Sequence, residues 1–415
     1  MQFAISFASS DTVIPAFIQT LTGSSVLVGL SRSMISIGWS WPQILISWLI
    51  EERERKLPLF MWAGMIRAAF WFALGAATWY LAGDRPSVVL GVFLGMYAIT
   101  TSLMGVSNVA WMDLVGKTVP KGGRARVFAL RRMLGGGMAV ASGAGISYIL
   151  SDRSGLDFPR DYAVLFLISA GLYALAIGAF GLIREPIEPV RKGREPIRSY
   201  LASGFRLLKD DDDYRRLFIL RYIWATAMMG MPFYVPFAIS DLGMNVVYIG
   251  LFVSVSQASS VLSNALWAWI GDRSGNRALL IYGTYFLAGS ILIPVTAPMV
   301  PDVTIRPLGF LGIPFSASTQ VLYFSLAFLF NGFASSGMFT GRMALVLDLS
   351  PPDRRPTYTS FMNTLGVPQG LMPILGGLLA AWSSYHYMFL ISLAFIPPAI
   401  ILAGRIRPAQ PETSV

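Results

Sequence analysis

The stretch "WAWIGDRSGNRALL", Trp267 to Leu280, halts a run of large apolar residues on a knot of Asp, Arg, Ser, Gly, Asn and Arg, then resumes the run at once. A helix that crosses the hydrocarbon core of a bilayer needs about 20 predominantly apolar residues. Flanking runs of that length make the knot a tight reversal between two membrane spans. Gly275 is the residue that tolerates the backbone such a reversal requires.

The rest of the chain supports this reading. Of 415 residues, 54% are hydrophobic and 13% charged, and the mean hydropathy is +0.59. A soluble chain carries about 25% charged residues. Long apolar segments recur throughout, and in lipid they must satisfy their backbone groups internally, so they read as helices. Short alternating strands of a transmembrane barrel are not seen. Twelve spans are predicted, at 2–21, 26–50, 57–81, 87–112, 127–150, 162–183, 215–239, 246–270, 278–298, 318–347, 357–382 and 385–404. The fold class is therefore an all-α membrane protein of twelve helices.

Cysteine is absent and histidine occurs once, at His386. Thiol metal sites and disulfides are excluded, and a His cluster or Ser-His-Asp set has no material. No metal and no cofactor is expected. The net charge of +10 is read as loop charge, not as a nucleic-acid surface. With both termini on the cytoplasmic side, inner loops and ends hold 24 Lys and Arg, against Arg85, Arg153, Arg160 and Arg306 outside. That asymmetry sets the orientation. Arg32, Arg67, Arg221 and Arg342 lie within spans.

The longest inner connection, 184–214, starts Pro- and charge-rich as a linker. Its "SYLASGFRLLK" suits a short amphipathic helix on the membrane surface. Asp210 to Asp213 then stand where a helix N-terminus favours negative charge. The connection separates a first half, 1–183, from a second half, 215–415. The halves repeat. An offset of 221 residues lays Pro15 on Pro236, Gly29 on Gly250, Trp48 on Trp269 and Lys56 on Arg277; an offset of 231 lays Pro120 on Pro351, Arg124 on Arg355 and Gly135 on Gly366. A parallel repeat of six spans is a transporter architecture. Residue 1 falls on Tyr222, well inside span 7, so the natural chain is expected to start upstream.

"GDRSGNR" at 271–277 resembles the loop signature D-R-x-G-x-R of the major facilitator superfamily, through Asp272, Arg273, Gly275 and Arg277. Its first-half counterpart, "EERERK" at 51–56, is degenerate. "DLVGKTVPKGGRARVFALRR" (113–132) and "DLSPPDRRPTYTSFMNTLG" (348–366) look like the same family's loops 4–5 and 10–11. Two departures matter. Span 4 lacks the Arg of many proton-coupled antiporters, and span 5 ("LGGGMAVASGAGISYIL") lacks the Gly-Pro pair common in drug antiporters. The resemblance implies a substrate cavity between the halves, lined mainly by spans 1, 4, 7 and 10, and alternating access by rocking.

Ionisable residues inside spans cost about 3 kcal/mol on insertion scales and point to function by default. Asp11 sits in "FASSDTVIP" among four consecutive polar residues. Arg32 lies about 9 Å below the outer end of span 2 and Asp11 about 13 Å below that of span 1, so they can meet; Arg67 lies about 15 Å from the inner end of span 3. Two readings stand: an ionisable site for a proton or charged substrate, or a structural ion pair. Asn108 and Asn331 are expected substrate hydrogen-bonding groups, with interhelical bonding as the alternative. Thr101 and Ser335 share their stripes. Tyr222, Thr226 and Phe233 form a partly aromatic face of span 7, expected to line the cavity. Gln257, Ser260, Asn264 and Trp267 in span 8 are expected to pack outside it. At the inner face Asp272 is expected to pair with Arg342 as a conformational latch, with Asp113 as a gate or helix-end partner.

The reading is a secondary active transporter of a small organic solute, probed first as proton-coupled through Asp11. No G-x-x-x-x-G-K-[ST] run supplies ATP binding, and nothing assembles an enzyme's catalytic set. The alternatives are a uniporter or multidrug-type exporter without Asp11 coupling, and a non-transporting sensor or lipid scramblase on the same fold. Expected partners are a small-molecule substrate, the lipid bilayer and a proton, with no nucleic acid, and the expected state is a monomer.

Overall fold

A computed structural model describes residues 1–50, 54–118, 124–187, 208–305, 317–350, 358, 361–363 and 366–407. The helices follow one another as twelve spans. Span 1 comprises Gln2–Phe7 and Val13–Thr22. Spans 2 to 6 are Ser25–Ile50, Leu57–Leu81, Pro86–Thr118, Arg124–Ile149 and Arg160–Phe180. Span 7 runs through Asp212–Ala227, Met228–Phe233 and Tyr234–Ser240. Spans 8 and 9 share Ile249–Thr296, interrupted at Gly275, and span 10 is Thr319–Leu349. Span 11 ends through Val367–Leu371 and Met372–Trp382, and span 12 is Tyr385–Ala394 with Ile396–Arg405. A two-residue antiparallel pair, Thr304–Ile305 with Ala317–Ser318, precedes span 10. Eight stretches of the described residues are long and apolar enough to cross a bilayer, and one of them, Val246–Met299, contains two spans.

Two spans predicted as continuous are broken. Pro15 and Pro236 explain where. Proline has no N–H and its ring clashes with the carbonyl four residues earlier, here those of Asp11 and Pro232. In span 1 the helix lapses between Phe7 and Val13, with Ala8 at φ −123°, ψ 47° and Thr12 at φ −138°, ψ −65°. In span 7 it tightens to a 3-10 turn over Met228–Phe233, which contains Pro232. The knot behaves as its glycine dictates: Gly275 takes φ 76°, ψ 171°.

An even number of spans puts both termini on one face, called the terminal face below. At the opposite face the first and last six spans meet closely. A side chain on Gly29 of span 2 would strike the Pro373 carbonyl of span 11, and one on Gly250 of span 8 would strike the Gly143 carbonyl of span 5. These two crossings repeat one another, since Gly29 and Gly250 are equivalent. Tyr385 of span 12 adds hydroxyl contacts to Ser25 Oγ (2.9 Å) and Gln19 Oε1 (3.2 Å). Glycine is what permits backbones to approach this closely in a bundle.

Asp211 caps span 7 by accepting from the Tyr214 N–H (2.9 Å), with Asp212 and Asp213 in the first turn. The predicted amphipathic segment lies mostly outside the described residues, as do much of loops 4–5 and 10–11 and part of "EERERK".

Candidate functional site

Two adjoining cavities occupy the middle of the molecule, of about 1010 and 760 Å³. Trp39, Met104 and Asn108 line both, so the two cavities adjoin across a shared wall. The larger part reaches Met1, Phe60 and Trp111 near the terminal face, while the opposite face is closed by the glycine crossings. The smaller part lies between spans 2, 4, 7, 10 and 11.

Arg32 lines the smaller cavity and Asp11 pairs with it from beside that wall, Arg32 Nε lying 3.1 Å from Asp11 Oδ1. The contact is an ion pair without a well-formed hydrogen bond, because Asp11 Oδ1 has no hydrogen-bond partner. Arg32 also donates to Ser10 Oγ at 3.5 Å. The break in span 1 makes the pair possible. It turns the Ser-Ser-Asp-Thr run out of helical register, where such side chains compete with backbone bonding. Arg67 is buried, 6% exposed. It donates to the Tyr173 hydroxyl and lies over that ring at 4.6 Å, while its Nε has no partner. Both Arg67 and Tyr173 line the larger cavity. Asn108 lines both parts, one helical turn from Trp111 and Met104.

The polar stripes read from the sequence are otherwise corrected. Tyr222, Thr226 and Phe233 lie outside the lining of either cavity. Tyr222 packs at a tilt against Phe218, Thr226 donates to its own helix's Tyr222 carbonyl, and Phe233 is fully buried. The lining face of span 7 is Arg221, Ala225, Met228, Met231 and Pro232, rotated by one residue from the predicted stripe at Arg221 and Ala225. Burial of Leu217, Leu220 and Trp224 against neighbouring helices sets that rotation, and a threonine satisfied by its own backbone does not resist it. Asn331 and Ser335 hydrogen-bond each other at 3.3 Å outside both cavities, and span 10 lines the space lower down with Phe339, Arg342 and Met343. Thr101 packs where Gly38 of span 2 crosses span 4 and bonds the Ala98 carbonyl.

Span 8 is corrected in the other direction. Asn264 and Val261 line the larger cavity, and Gln257 reaches Ser6 of span 1 at 3.4 Å. Other lining groups missed in the sequence are Trp39, Trp111, Tyr173, Arg221 and Gln369. Arg221 carried a readable signal as a charge inside a span. It donates to the Met362 carbonyl, and Gly366 makes room for its guanidinium.

The expected latch does not form. Asp272 is exposed and makes no ion pair with Arg342, whose guanidinium lies 5.6 Å from the Phe339 ring on the cavity wall. Arg342 sits about 9 Å along span 10 from Asp348, and Asp348 is what the knot reaches. Asn276 Nδ2 donates to Asp348 Oδ2 at 2.8 Å, and Arg277 donates to the Ile406 carbonyl at 3.3 Å. Arg273 lies over Trp269 at 4.6 Å. The Asp113 side chain lies outside the described residues. In the first half, Glu185 accepts from the Lys56 and Leu57 N–H groups (2.8–3.0 Å) and pairs with Lys117 at 3.2 Å. It satisfies the N-terminus of span 3 with a carboxylate, as the helix dipole favours.

The sequence model of the Major Facilitator Superfamily matches residues 1–305 and 303–415. No curated protein sequence matches the chain. Among solved structures it is similar to the nucleoside transporter NupG (15% identity, 98% of this chain and 95% of that one, TM-score 0.66). It is also similar to a bacterial homologue of the iron transporter ferroportin in an inward-facing state (14%, 98% and 95%, TM-score 0.69). A third is the E. coli fucose:proton symporter FucP (16%, 98% and 95%, TM-score 0.56). At such identities the likeness is one of fold. Helices able to cross a bilayer, a repeated six-span plan and a family match over the whole length agree: the chain is an integral membrane protein that belongs to the major facilitator superfamily.

Proposed function

We propose that the protein is a secondary active transporter that moves a small organic solute across the cytoplasmic membrane by alternating access, coupled to protons at Asp11. The observation that carries this is a central cavity closed at one face by tight glycine crossings and reaching toward the terminal face. The moving units are 1–183 and 215–415, joined by 184–214, with both termini cytoplasmic because basic loops favour that side. FucP is described as a proton symporter, which makes proton coupling a natural expectation for a relative.

Asp11 supports the coupling role by its chemistry. It faces Arg32 without a satisfied hydrogen bond, and both side chains keep partial exposure. Taking up a proton would cancel its charge and release Arg32, changing what the cavity wall offers. A ligand or proton can shift a two-state transporter only by favouring one state. Flux in proteoliposomes with and without a pH gradient tests the proposal. Gradient-driven accumulation that Asp11→Asn abolishes, while exchange persists, is the expected result. Full accumulation by that variant would remove Asp11 from the mechanism.

A further inference from the structure

We infer that the cavity takes a small organic anion, one that carries a carboxylate, phosphate or sulfonate on a partly apolar body. This rests on the transporter reading and names its substrate class. Four arginines, Arg32, Arg67, Arg221 and Arg342, stand on the adjoining cavity walls, and among the described residues no Asp or Glu lines either part. Among the described residues, only Arg32 of the four has a carboxylate partner, that of Asp11. The other three rest on neutral groups: Arg67 on the Tyr173 hydroxyl and ring, Arg221 on the Met362 carbonyl, and Arg342 against the Phe339 ring.

A cation held inside a membrane protein is costly and is normally paired. Three guanidiniums around these adjoining cavities, with no counter-charge among the described residues, point to a counter-charge that arrives with the solute. Two donors are also left over there: Arg67 Nε and Gln369 Nε2, both buried and without a partner. A guanidinium offers five N–H donors and no acceptor. Its planar fork matches a carboxylate or phosphate through paired bonds. A neutral polyol would leave the guanidinium charges uncompensated, and a cation would be repelled. Trp39, Trp111 and Met104 give the apolar part of the solute a surface. The Asp11–Arg32 pair fits this chemistry: an anion that draws on Arg32 leaves Asp11 to be neutralised by a proton, so proton and anion enter together.

The chain has no cysteine, so Met104→Cys creates a single thiol on the shared wall. In phosphatidylcholine vesicles, which bring no anionic headgroup, it is labelled with anionic sulfonatoethyl methanethiosulfonate and cationic trimethylammonioethyl methanethiosulfonate. Each rate is divided by that for 2-mercaptoethanol. The anionic reagent should win by about tenfold or more, as a charged cleft concentrates opposite charge. Arg67→Gln and Arg342→Gln should each reduce that preference several-fold, and Arg342→Lys should retain it. Ser36→Cys, on the same wall, repeats the measurement if Met104→Cys fails to fold. A ratio of one or less, or a ratio unmoved by the arginine variants, overturns the anion assignment. The readout needs no transport. Anion preference without flux would sink the transporter reading alone, and flux with no preference would sink the substrate class alone.

Discussion

Span 1 loses its helix between Phe7 and Val13, and span 7 tightens over Met228–Phe233. An offset of 221 residues lays 8–12 on 229–233, and the prolines that cause both breaks, Pro15 and Pro236, are equivalent under it. The contents differ. The first break holds Ser9, Ser10, Asp11 and Thr12; the second holds Gly230, Met231, Pro232 and Phe233. A break at this depth is therefore part of the repeated scaffold, and the charge is an addition made in one half. The junctions at the terminal face differ in a parallel way. Glu185, a buried carboxylate, ties spans 3 and 4 together in the first half. At the equivalent place in the second half, Asn276–Asp348 and Arg277 with a backbone carbonyl do that work on the surface.

The two helix breaks separate the effect of charge from that of backbone geometry. Asp11→Asn should lower gradient-driven uptake in proteoliposomes by about 100-fold, within the range a lost proton carrier implies. Pro232→Ala, at the equivalent place, should stay within about threefold. Equal losses would mean that the break, not the charge, matters. At the terminal-face junctions, Glu185→Ala should cost about 3 kcal/mol, because it removes a buried charged partner. Asn276→Ala should cost about 1 kcal/mol, one ordinary hydrogen bond. Thermal unfolding in detergent would rank the two, and the reverse order would contradict the asymmetry.

The glycine crossings are where the halves should behave alike. Gly29→Val and Gly250→Val each push a side chain into backbone, and overpacking of this kind costs about 1–3 kcal/mol. Both should loosen the closed face. Labelling of Ser24→Cys by an impermeant maleimide should rise several-fold in each, and a response in only one would end the symmetry. Tyr385→Phe should have the smallest effect. It removes contacts with Ser25 and Gln19, worth about 1 kcal/mol, and should raise the same labelling by less than about fivefold.

Much of this was legible in the sequence. Hydropathy marked the spans, the Lys and Arg asymmetry suggested their orientation, and the two offsets exposed the repeat. Gly275 announced its own backbone. Asp11, Arg32, Arg67 and Asn108 stood out as polar groups in apolar spans, and the structure places each on or beside the cavity. The stripes were less legible, because helical spacing says which residues share a face but not which way the face turns. Span 7 turned by one residue, so Arg221 lines the cavity and Tyr222 does not.

Apolar patterning and the internal repeat are enough to make this a membrane protein of twelve helices in a repeated plan, because desolvation of backbone and charge leaves few other ways to bury so much apolar chain. The sequence also places a deep acid in only one half. Tertiary structure alone decided which charges keep company. It paired Asp11 with Arg32, left three arginines on the cavity wall with neutral neighbours, and sent the knot at 271–277 to Asp348 instead of Arg342. The reason is physical: an ion pair depends on how two helices rotate and cross. That is set by the packing of every residue on their buried faces, not by the charged residues themselves.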